Sequence, residues 1–110
     1  MFHCNGWHFP WTITLLAGTH VCLREINPVK VFQLISEEKV THLGGAPTVL
    51  TMLTTVPKEK QIPLHGPVEI LTAGAPPTSA LVKATEALGF NLTQMYGLTE
   101  TFGQVVFLIS

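Results

Sequence analysis

Short apolar runs alternate with amphipathic segments along this chain, and this alternation constrains the fold more than any other feature. Strands are predicted at Val40–Leu43, Val68–Ala73 and Asn91–Met95, and a further one at Thr19–Leu23. The segments between them have helical periodicity. Strands separated by helices of this length predict an α/β fold, in which helices flank a mostly parallel sheet.

Capping residues, prolines and glycines set the ends of the predicted helices. Asn27 and Thr78 carry side chains that cap helix N-termini, and Pro28 and Pro47 suit the first helical turn. Glycine just past the last apolar residue favours a left-handed end. The predicted helices run from Asn5 to Gly18, from Asn27 to Glu38, from Pro47 through Leu53, and from Thr78 to Gly89.

The composition indicates that other segments normally cover part of this surface. Only 12% of the 110 residues are charged, whereas 46% are hydrophobic. A small domain with so few charges cannot cover its own surface, so the chain is expected to be part of a larger body. The net charge of -1 gives no basic stripe, which excludes nucleic acid as an expected partner.

The sequence contains no membrane or export signal and no cysteine framework. Its longest apolar run, Val105–Ile109, is far below the roughly 18 residues that span a bilayer. A basic segment followed by an apolar one, the signal-peptide pattern, is absent at the N-terminus. Cys4 and Cys22 are expected to be small buried hydrophobic residues in a reducing compartment.

Three glycine-containing stretches each follow directly on a predicted strand: Gly44-Gly45-Ala46, Gly74-Ala75-Pro76 and Tyr96-Gly97-Leu98-Thr99-Glu100. The carboxyl ends of parallel strands meet at one edge of a sheet, and ligands bind there. These stretches are therefore expected to line one crevice.

The chemistry of the third stretch fits a phosphate and a metal ion. The Thr99 hydroxyl can donate to a phosphate oxygen, and the Glu100 carboxylate can hold Mg²⁺. A structural alternative remains open, in which Thr99 or Thr101 bonds to nearby amides as a helix cap. Tyr96 can stack on a purine or serve as a core or edge aromatic residue.

Histidines near the N-terminus are candidates for a base or a ligand, but no hydrolase or metalloprotease motif accompanies them. His3 and His8 lack a His-Glu-x-x-His pattern, and the chain has no Gly-x-Ser-x-Gly elbow. A Walker-type phosphate loop and a dinucleotide fingerprint are also missing.

Taken in order, three segments resemble the adenylate-forming, or AMP-binding, superfamily, which includes acyl-CoA synthetases and 4-coumarate-CoA ligases. They are Met1–Trp7, Thr72–Pro77 and Gln94–Thr101. The resemblance covers essentially the whole chain but only the centre of such an enzyme's N-terminal domain. Residues 1–110 would thus be a partial adenylation domain, without the family's phosphate loop and C-terminal domain.

In that family a carboxylate attacks the α-phosphorus of ATP to give acyl-AMP, and the thiol of coenzyme A then displaces AMP. The resemblance therefore implies ATP or AMP, Mg²⁺ and coenzyme A, with a small carboxylic acid and the remaining parts of the enzyme as partners. The fragment alone is not expected to complete the reaction. A cytoplasmic location is expected, or a peroxisomal or mitochondrial one for the full-length parent.

The resemblance assigns roles to individual residues. Thr99 and Glu100 would be catalytic, with Thr99 on the AMP phosphate and Glu100 on magnesium. The implied nucleotide-binding residues are Gly74, Ala75, Pro76, Gln94, Met95, Tyr96 and Thr99, and the implied acyl-substrate residues are His3, Ala73 and Gly97. Two alternatives remain, an amino-acid adenylation domain that loads a carrier protein and a noncatalytic nucleotide-binding module.

Overall fold

The computed structural model of the protein describes residues 3–109, with helices and strands that alternate along most of the chain. In chain order the elements are α1 (His3–Trp7), α2 (Phe9–Leu15), α3 (Pro28–Glu37), β1 (His42–Gly44), α4 (Pro47–Thr54), β2 (Val68–Thr72), α5 (Ser79–Ala87), β3 (Phe90–Leu98) and β4 (Gly103–Ile109). Single 3₁₀ turns occupy Lys58–Lys60 and Thr99–Thr101.

The strands form one sheet in the order β1-β2-β3-β4. β1, β2 and β3 are parallel, and β4 runs antiparallel to β3. The α/β fold with a mostly parallel sheet and flanking helices is therefore confirmed.

The core lies between the sheet and the helices α3, α4 and α5. β2 shows why, because Val68 and Ile70 are fully buried and alternate with the half-buried Glu69 and Leu71. Alternate residues of a strand point to opposite faces, so one face of β2 is covered by helices. The buried cluster consists of Phe32, Ile35, Leu50, Leu53, Val56, Val68, Ile70, Phe90 and Leu92.

Two of the predicted helix starts are confirmed by their hydrogen bonds. The Asn27 side chain accepts a hydrogen bond from the backbone amide of Lys30 at 3.1 Å. The Thr78 hydroxyl accepts one from the backbone amide of Leu81 at 3.2 Å. Each bond satisfies an amide that the first helical turn leaves without a partner.

The strand predicted at Thr19–Leu23 is wrong. These residues have no regular structure, and Val21 and Leu23 are 38% and 43% exposed. No described strand pairs with them, so the β propensity of the apolar run has no ladder to stabilise it. The prediction of buried cysteines is also wrong, because Cys22 is exposed and Cys4 is half-buried.

The single helix predicted from Asn5 to Gly18 is instead two short helices. Positive φ angles run through α1 itself, at His3, Cys4, Gly6 and Trp7, and continue at His8 with a φ of 64°. This left-handed turn cannot continue directly into the right-handed helix α2. Gly18 does not supply the left-handed end; Ala17 does, at φ 54°. Residues spaced every four positions from Trp7 do not form a buried face, because Trp11 is 57% exposed and Leu15 is 86% exposed.

β3 is longer than predicted, and β4 was not predicted at all. The expectation that Tyr96, Gly97 and Leu98 follow the strand is wrong, since β3 continues through Leu98. The cause is pairing with β4, which extends from Leu98↔Gly103 to Thr93↔Ile109 with a bulge between Tyr96 and Gly97.

Among residues 3–109, every helix is too short or too polar to cross a bilayer. Met1, Phe2 and Ser110, the first two of which carry part of the Met1–Trp7 resemblance, lie outside the described residues.

Candidate active site

The loops after β1 and β2 meet at the carboxyl edge of the sheet, as predicted. The backbone amide of Gly45, just past β1, donates to the carbonyl of Leu71 on β2 at 2.9 Å. On the other side of β2, Thr72 pairs with Gln94 of β3. The stretches that begin at Gly44 and Gly74 are therefore neighbours on one edge.

The third stretch lies beyond that edge, because β3 projects past β2. The β2–β3 register ends at Thr72↔Gln94, whereas β3 continues to Leu98 with β4 as its partner. On the side of β3 that faces β2, Met95–Leu98 therefore have no ladder partner among the described strands. We call this region beyond the end of β2 the notch, and define it by the loop Gly74–Pro76 and the projecting Met95–Leu98.

Exposed, compact groups border the notch. Gly74, Ala75 and Pro76 are all exposed, and a Cβ atom added to Gly74 would meet no atom within 4 Å. Gly74 also has a φ of 95°, which suits the sharp departure of the chain from β2. On the β3 side Tyr96 is 58% exposed, so its ring is accessible for stacking.

The remaining predicted nucleotide and acyl residues differ in exposure, and only His3 is exposed. Gln94 is half-buried, whereas Met95 and Ala73 are buried, at 8% and 6% exposure. Gly97 pairs with Gln104 across the β3–β4 ladder. His3 lies in α1, which is beside β4, and its side chain is exposed.

In the turn Thr99–Thr101, the side chain of Thr101 is hydrogen-bonded to the backbone, whereas those of Thr99 and Glu100 are not. The Thr101 hydroxyl accepts a hydrogen bond from the amide of Leu98 at 2.9 Å and lies 2.8 Å from the carbonyl of Gly103, to which it can donate. Within residues 3–109, the side chains of Thr99 and Glu100 are exposed and make no hydrogen bond or ion pair. The capping role that the sequence left open thus belongs to Thr101.

Near the turn Thr99–Thr101, Glu100 offers one carboxylate to a metal ion, without a preformed set of protein ligands among the described residues. The described part of the chain contains no group of three or more His, Cys, Asp or Glu residues that could hold a metal. Mg²⁺ keeps several waters and is commonly held by one or two carboxylates together with substrate phosphates. The single exposed carboxylate of Glu100 fits a magnesium ion that arrives with a polyphosphate.

One contact that the sequence does not reveal joins the N-terminal helices to this turn. His8 Nε2 lies 2.7 Å from the carbonyl oxygen of Phe102, a residue 94 positions away. The sequence marked His8 only as a candidate base or ligand. No periodicity connects residues so far apart, so only the tertiary structure shows this contact.

Comparison with known proteins agrees with this arrangement. The AMP-binding enzyme family matches residues 1–109. The chain is 48% identical over 106 residues to the 2-methylpropanoate–CoA ligase CCL4 of Humulus lupulus, a match that covers 96% of this chain and 19% of that protein. This chain therefore belongs to the AMP-binding enzyme family.

Two solved structures give the same result at the level of the fold. The N-terminal domain of FACL13 from Mycobacterium tuberculosis matches with a TM-score of 0.89 and 29% identity, over 100% of this chain and 28% of that one. O-succinylbenzoate coenzyme A synthetase of Bacillus subtilis, in complex with ATP and a magnesium ion, matches with a TM-score of 0.78 and 25% identity, over 97% of this chain and 22% of that one. The chain thus spans 19% to 28% of the chains it matches.

Proposed function

We propose that this chain forms the nucleotide and magnesium wall of an ATP-dependent acyl-CoA ligase, in which Thr99 and Glu100 act together. The proposal depends on one observation, that the three side chains of the turn Thr99–Thr101 have different surroundings. The Thr101 hydroxyl bonds to the backbone, while the adjacent residues Thr99 and Glu100 both leave their side chains exposed. A donor next to a metal ligand suits one phosphate group and its cation.

The proposed reaction has two steps. A carboxylate oxygen of the acid attacks the α-phosphorus of ATP, and the bond to pyrophosphate breaks. The thiol of coenzyme A then attacks the acyl carbon, and AMP leaves. Catalysis consists mainly of alignment and charge stabilisation, which explains why the site needs no side-chain nucleophile.

The charge distribution explains why a metal ion would be needed. Glu100 is itself negative. A polyphosphate beside Glu100 would therefore be repelled unless a cation lay between them. Bound magnesium would neutralise phosphate charge and polarise the reacting phosphoryl group. Glu100 would hold it, and Thr99 would donate a hydrogen bond to the AMP phosphate.

The notch suits the nucleoside part of the ligand. We place adenine between the loop Gly74–Pro76 and the exposed ring of Tyr96, supported by the open backbone at Gly74. Thr99 lies three residues beyond Tyr96, which is roughly 10 Å along an extended strand. That separation fits a nucleoside whose base is at one end and whose phosphate is at the other.

The acyl side of the site is proposed on smaller grounds. Ala73 leaves space because its side chain is a single methyl group, and Gln94 and Met95 would lie between nucleotide and acyl group. The space beside the Gly97 Cα is filled by the backbone of Gly103 and Gln104, so the acyl role of Gly97 rests on the resemblance alone. His3, exposed on α1, would stand at the mouth of the acyl tunnel. We also propose that coenzyme A is the acyl acceptor and that the acyl substrate is a small carboxylic acid, which the similarity to a relative named a CoA ligase supports.

ATP–pyrophosphate exchange by the full-length polypeptide that carries this sequence tests the proposal. Exchange should depend on aliphatic or aromatic carboxylic acids, and Thr99→Val should lower its rate at least roughly tenfold because an ionic hydrogen bond is lost. Thr55→Val, on the exposed end of α4, is the matched control and should leave the rate unchanged.

Other outcomes of that experiment identify the alternatives. Exchange with amino acids only would favour an amino-acid adenylation domain. Tight nucleotide binding without any exchange would favour a noncatalytic module. Equal rates for Thr99→Val and the unmodified protein would overturn the role of Thr99.

A cytoplasmic location, supported by two free cysteines, is tested by imaging the tagged full-length protein.

A further inference from the structure

His8 contacts the turn that follows β3 through both a hydrogen bond and a ring contact. Its Nε2 atom lies 2.7 Å from the Phe102 carbonyl oxygen, and because a carbonyl only accepts, the Nε2–H group donates. The rings of His8 and Phe102 also meet edge to face, with centroids 4.6 Å apart and planes at 64°. Two independent interactions thus join the same pair of residues.

The turn needs such support because its last residues have unusual backbone angles. Phe102 has a φ of 54° and Gly103 a φ of 109°. A bulky residue rarely adopts positive φ, and such conformations persist where the surroundings hold them. Glycine at 103 also permits the approach of His8, since a Cβ atom there would lie 2.5 Å from His8 Nε2.

His8 is itself held in place from the other side. Its carbonyl accepts from the Thr12 amide at 3.0 Å and from the Thr12 hydroxyl at 3.0 Å, which fixes it to the start of α2. The next residue, Phe9, packs so closely on Gly44 that a Cβ there would lie 2.7 Å from the ring. His8 therefore connects the turn to the end of β1.

We propose that His8 is a positioning residue for the ligase reaction. By donating to the Phe102 carbonyl and packing on its ring, it fixes the turn in the conformation that presents Thr99 and Glu100 to ATP and magnesium. It touches neither ligand itself. This proposal rests on the proposed function for the roles of Thr99 and Glu100, whereas the effect of His8 on the turn stands without it.

Two substitutions separate the hydrogen bond from the ring contact. His8→Phe keeps an aromatic ring and removes the donor, whereas His8→Gln places an amide N–H near the position of Nε2 and removes the ring. His65→Phe, in the exposed loop before β2, is the control. All three are made in the full-length polypeptide that carries this sequence.

Amide hydrogen exchange reads the turn directly. The Phe102 amide donates to the Thr99 carbonyl at 3.0 Å, and the Leu98 amide donates to the Thr101 hydroxyl at 2.9 Å, so both report whether the turn is intact. In His8→Phe their exchange should be roughly fivefold faster, the equivalent of one lost hydrogen bond. Exchange at Val82 in α5, whose amide donates to the Thr78 carbonyl at 3.0 Å, should not change.

Kinetics then test the connection to the reaction. His8→Phe should raise the KM for Mg-ATP roughly fivefold and leave the KM for the carboxylic acid unchanged, and His8→Gln should restore most of the loss. His65→Phe should resemble the unmodified protein. Unchanged exchange at Leu98 and Phe102 in His8→Phe would overturn the proposal, as would faster exchange there with an unaltered KM for Mg-ATP.

The two proposals fail in different ways. If Thr99 and Glu100 are not ligand contacts, Thr99→Val will not alter pyrophosphate exchange, yet His8→Phe will still loosen the turn. If His8 does not position the turn, Thr99→Val will lower activity while His8→Phe leaves both the amides and the KM unaltered.

Discussion

Gly97 lies against the backbone carbonyl of Gly103 across the β3–β4 hairpin, which leaves no space for a side chain at Gly97. A Cβ atom added there would overlap the carbonyl group of Gly103 and crowd the Cα of Gln104. Both obstacles are backbone, which cannot rotate aside as a side chain can. The hairpin that carries Thr99 and Glu100 therefore depends on the absence of a single methyl group.

Replacing Gly97 with alanine should destabilise the protein strongly. Overpacking against backbone costs about 3 kcal/mol, so the full-length variant should unfold at a clearly lower temperature than the unmodified protein. Gly66→Ala is the control, because nothing lies within 4 Å of a Cβ there. Thermal unfolding followed by circular dichroism checks both variants. Equal Tm values for the two would show that β4 does not approach Gly97 as described.

The Thr101 hydroxyl should contribute to stability without contributing to ligand binding. Thr101→Val removes the acceptor of the Leu98 amide and the donor to the hairpin, and should lower the free energy of unfolding by about 1–2 kcal/mol. Thr101→Ser keeps the hydroxyl and should retain most of the stability. Urea denaturation measures the difference. A valine variant as stable as the serine variant would contradict this role.

Thr72 and Thr85 are buried threonines, and replacing each with valine should change the free energy of unfolding differently. The Thr85 hydroxyl donates to the Leu81 carbonyl at 2.8 Å, whereas the Thr72 hydroxyl has no partner among the described residues. Thr85→Val should cost about 1 kcal/mol, and Thr72→Val should leave stability unchanged or raise it by about 1 kcal/mol, because a buried hydroxyl without a partner is unfavourable. Urea denaturation of both variants is the test. A similar loss in each would show that Thr72 has a bonding partner after all.

The carboxylate of Glu100 should set the magnesium requirement. Glu100→Gln keeps the size of the side chain and removes its charge, so the Mg²⁺ concentration for half-maximal pyrophosphate exchange should rise roughly tenfold. Glu59→Gln, in the exposed turn Lys58–Lys60, changes the net charge equally and is the control. Magnesium titrations at fixed ATP provide the measurement. Superimposable titrations for the two variants would exclude Glu100 as a metal ligand.

Local rules predicted the parallel part of the fold well. Asn27 and Thr78 cap the helices that follow them, because capping needs only a side-chain oxygen a few residues from an amide. The strand at Val68 and the crossover to β3 also follow from short-range pattern. The grouping of the loops after β1 and β2 at one edge needed one further rule, that parallel strands share a carboxyl edge.

What escaped prediction depends on distant partners. Gly103–Ile109 contains a continuous apolar run without alternation, so its identity as an antiparallel strand depends on β3. The interruption at Trp7 and His8 requires positive φ at residues that rarely adopt it, and contacts with the hairpin accompany it. Thr19–Leu23 has strand propensity but no described neighbour to pair with.

The contact between His8 and Phe102 also affects the order in which the molecule can be assembled. His8 emerges from the ribosome well before its partner, because 94 positions separate the two residues. At ordinary rates of synthesis that interval is roughly 5 to 20 seconds. Throughout it the segment around His8 lacks the hairpin against which it packs. The contact that holds the turn Thr99–Thr101 can therefore form only after Phe102 is synthesised, although its other half was synthesised 94 residues earlier.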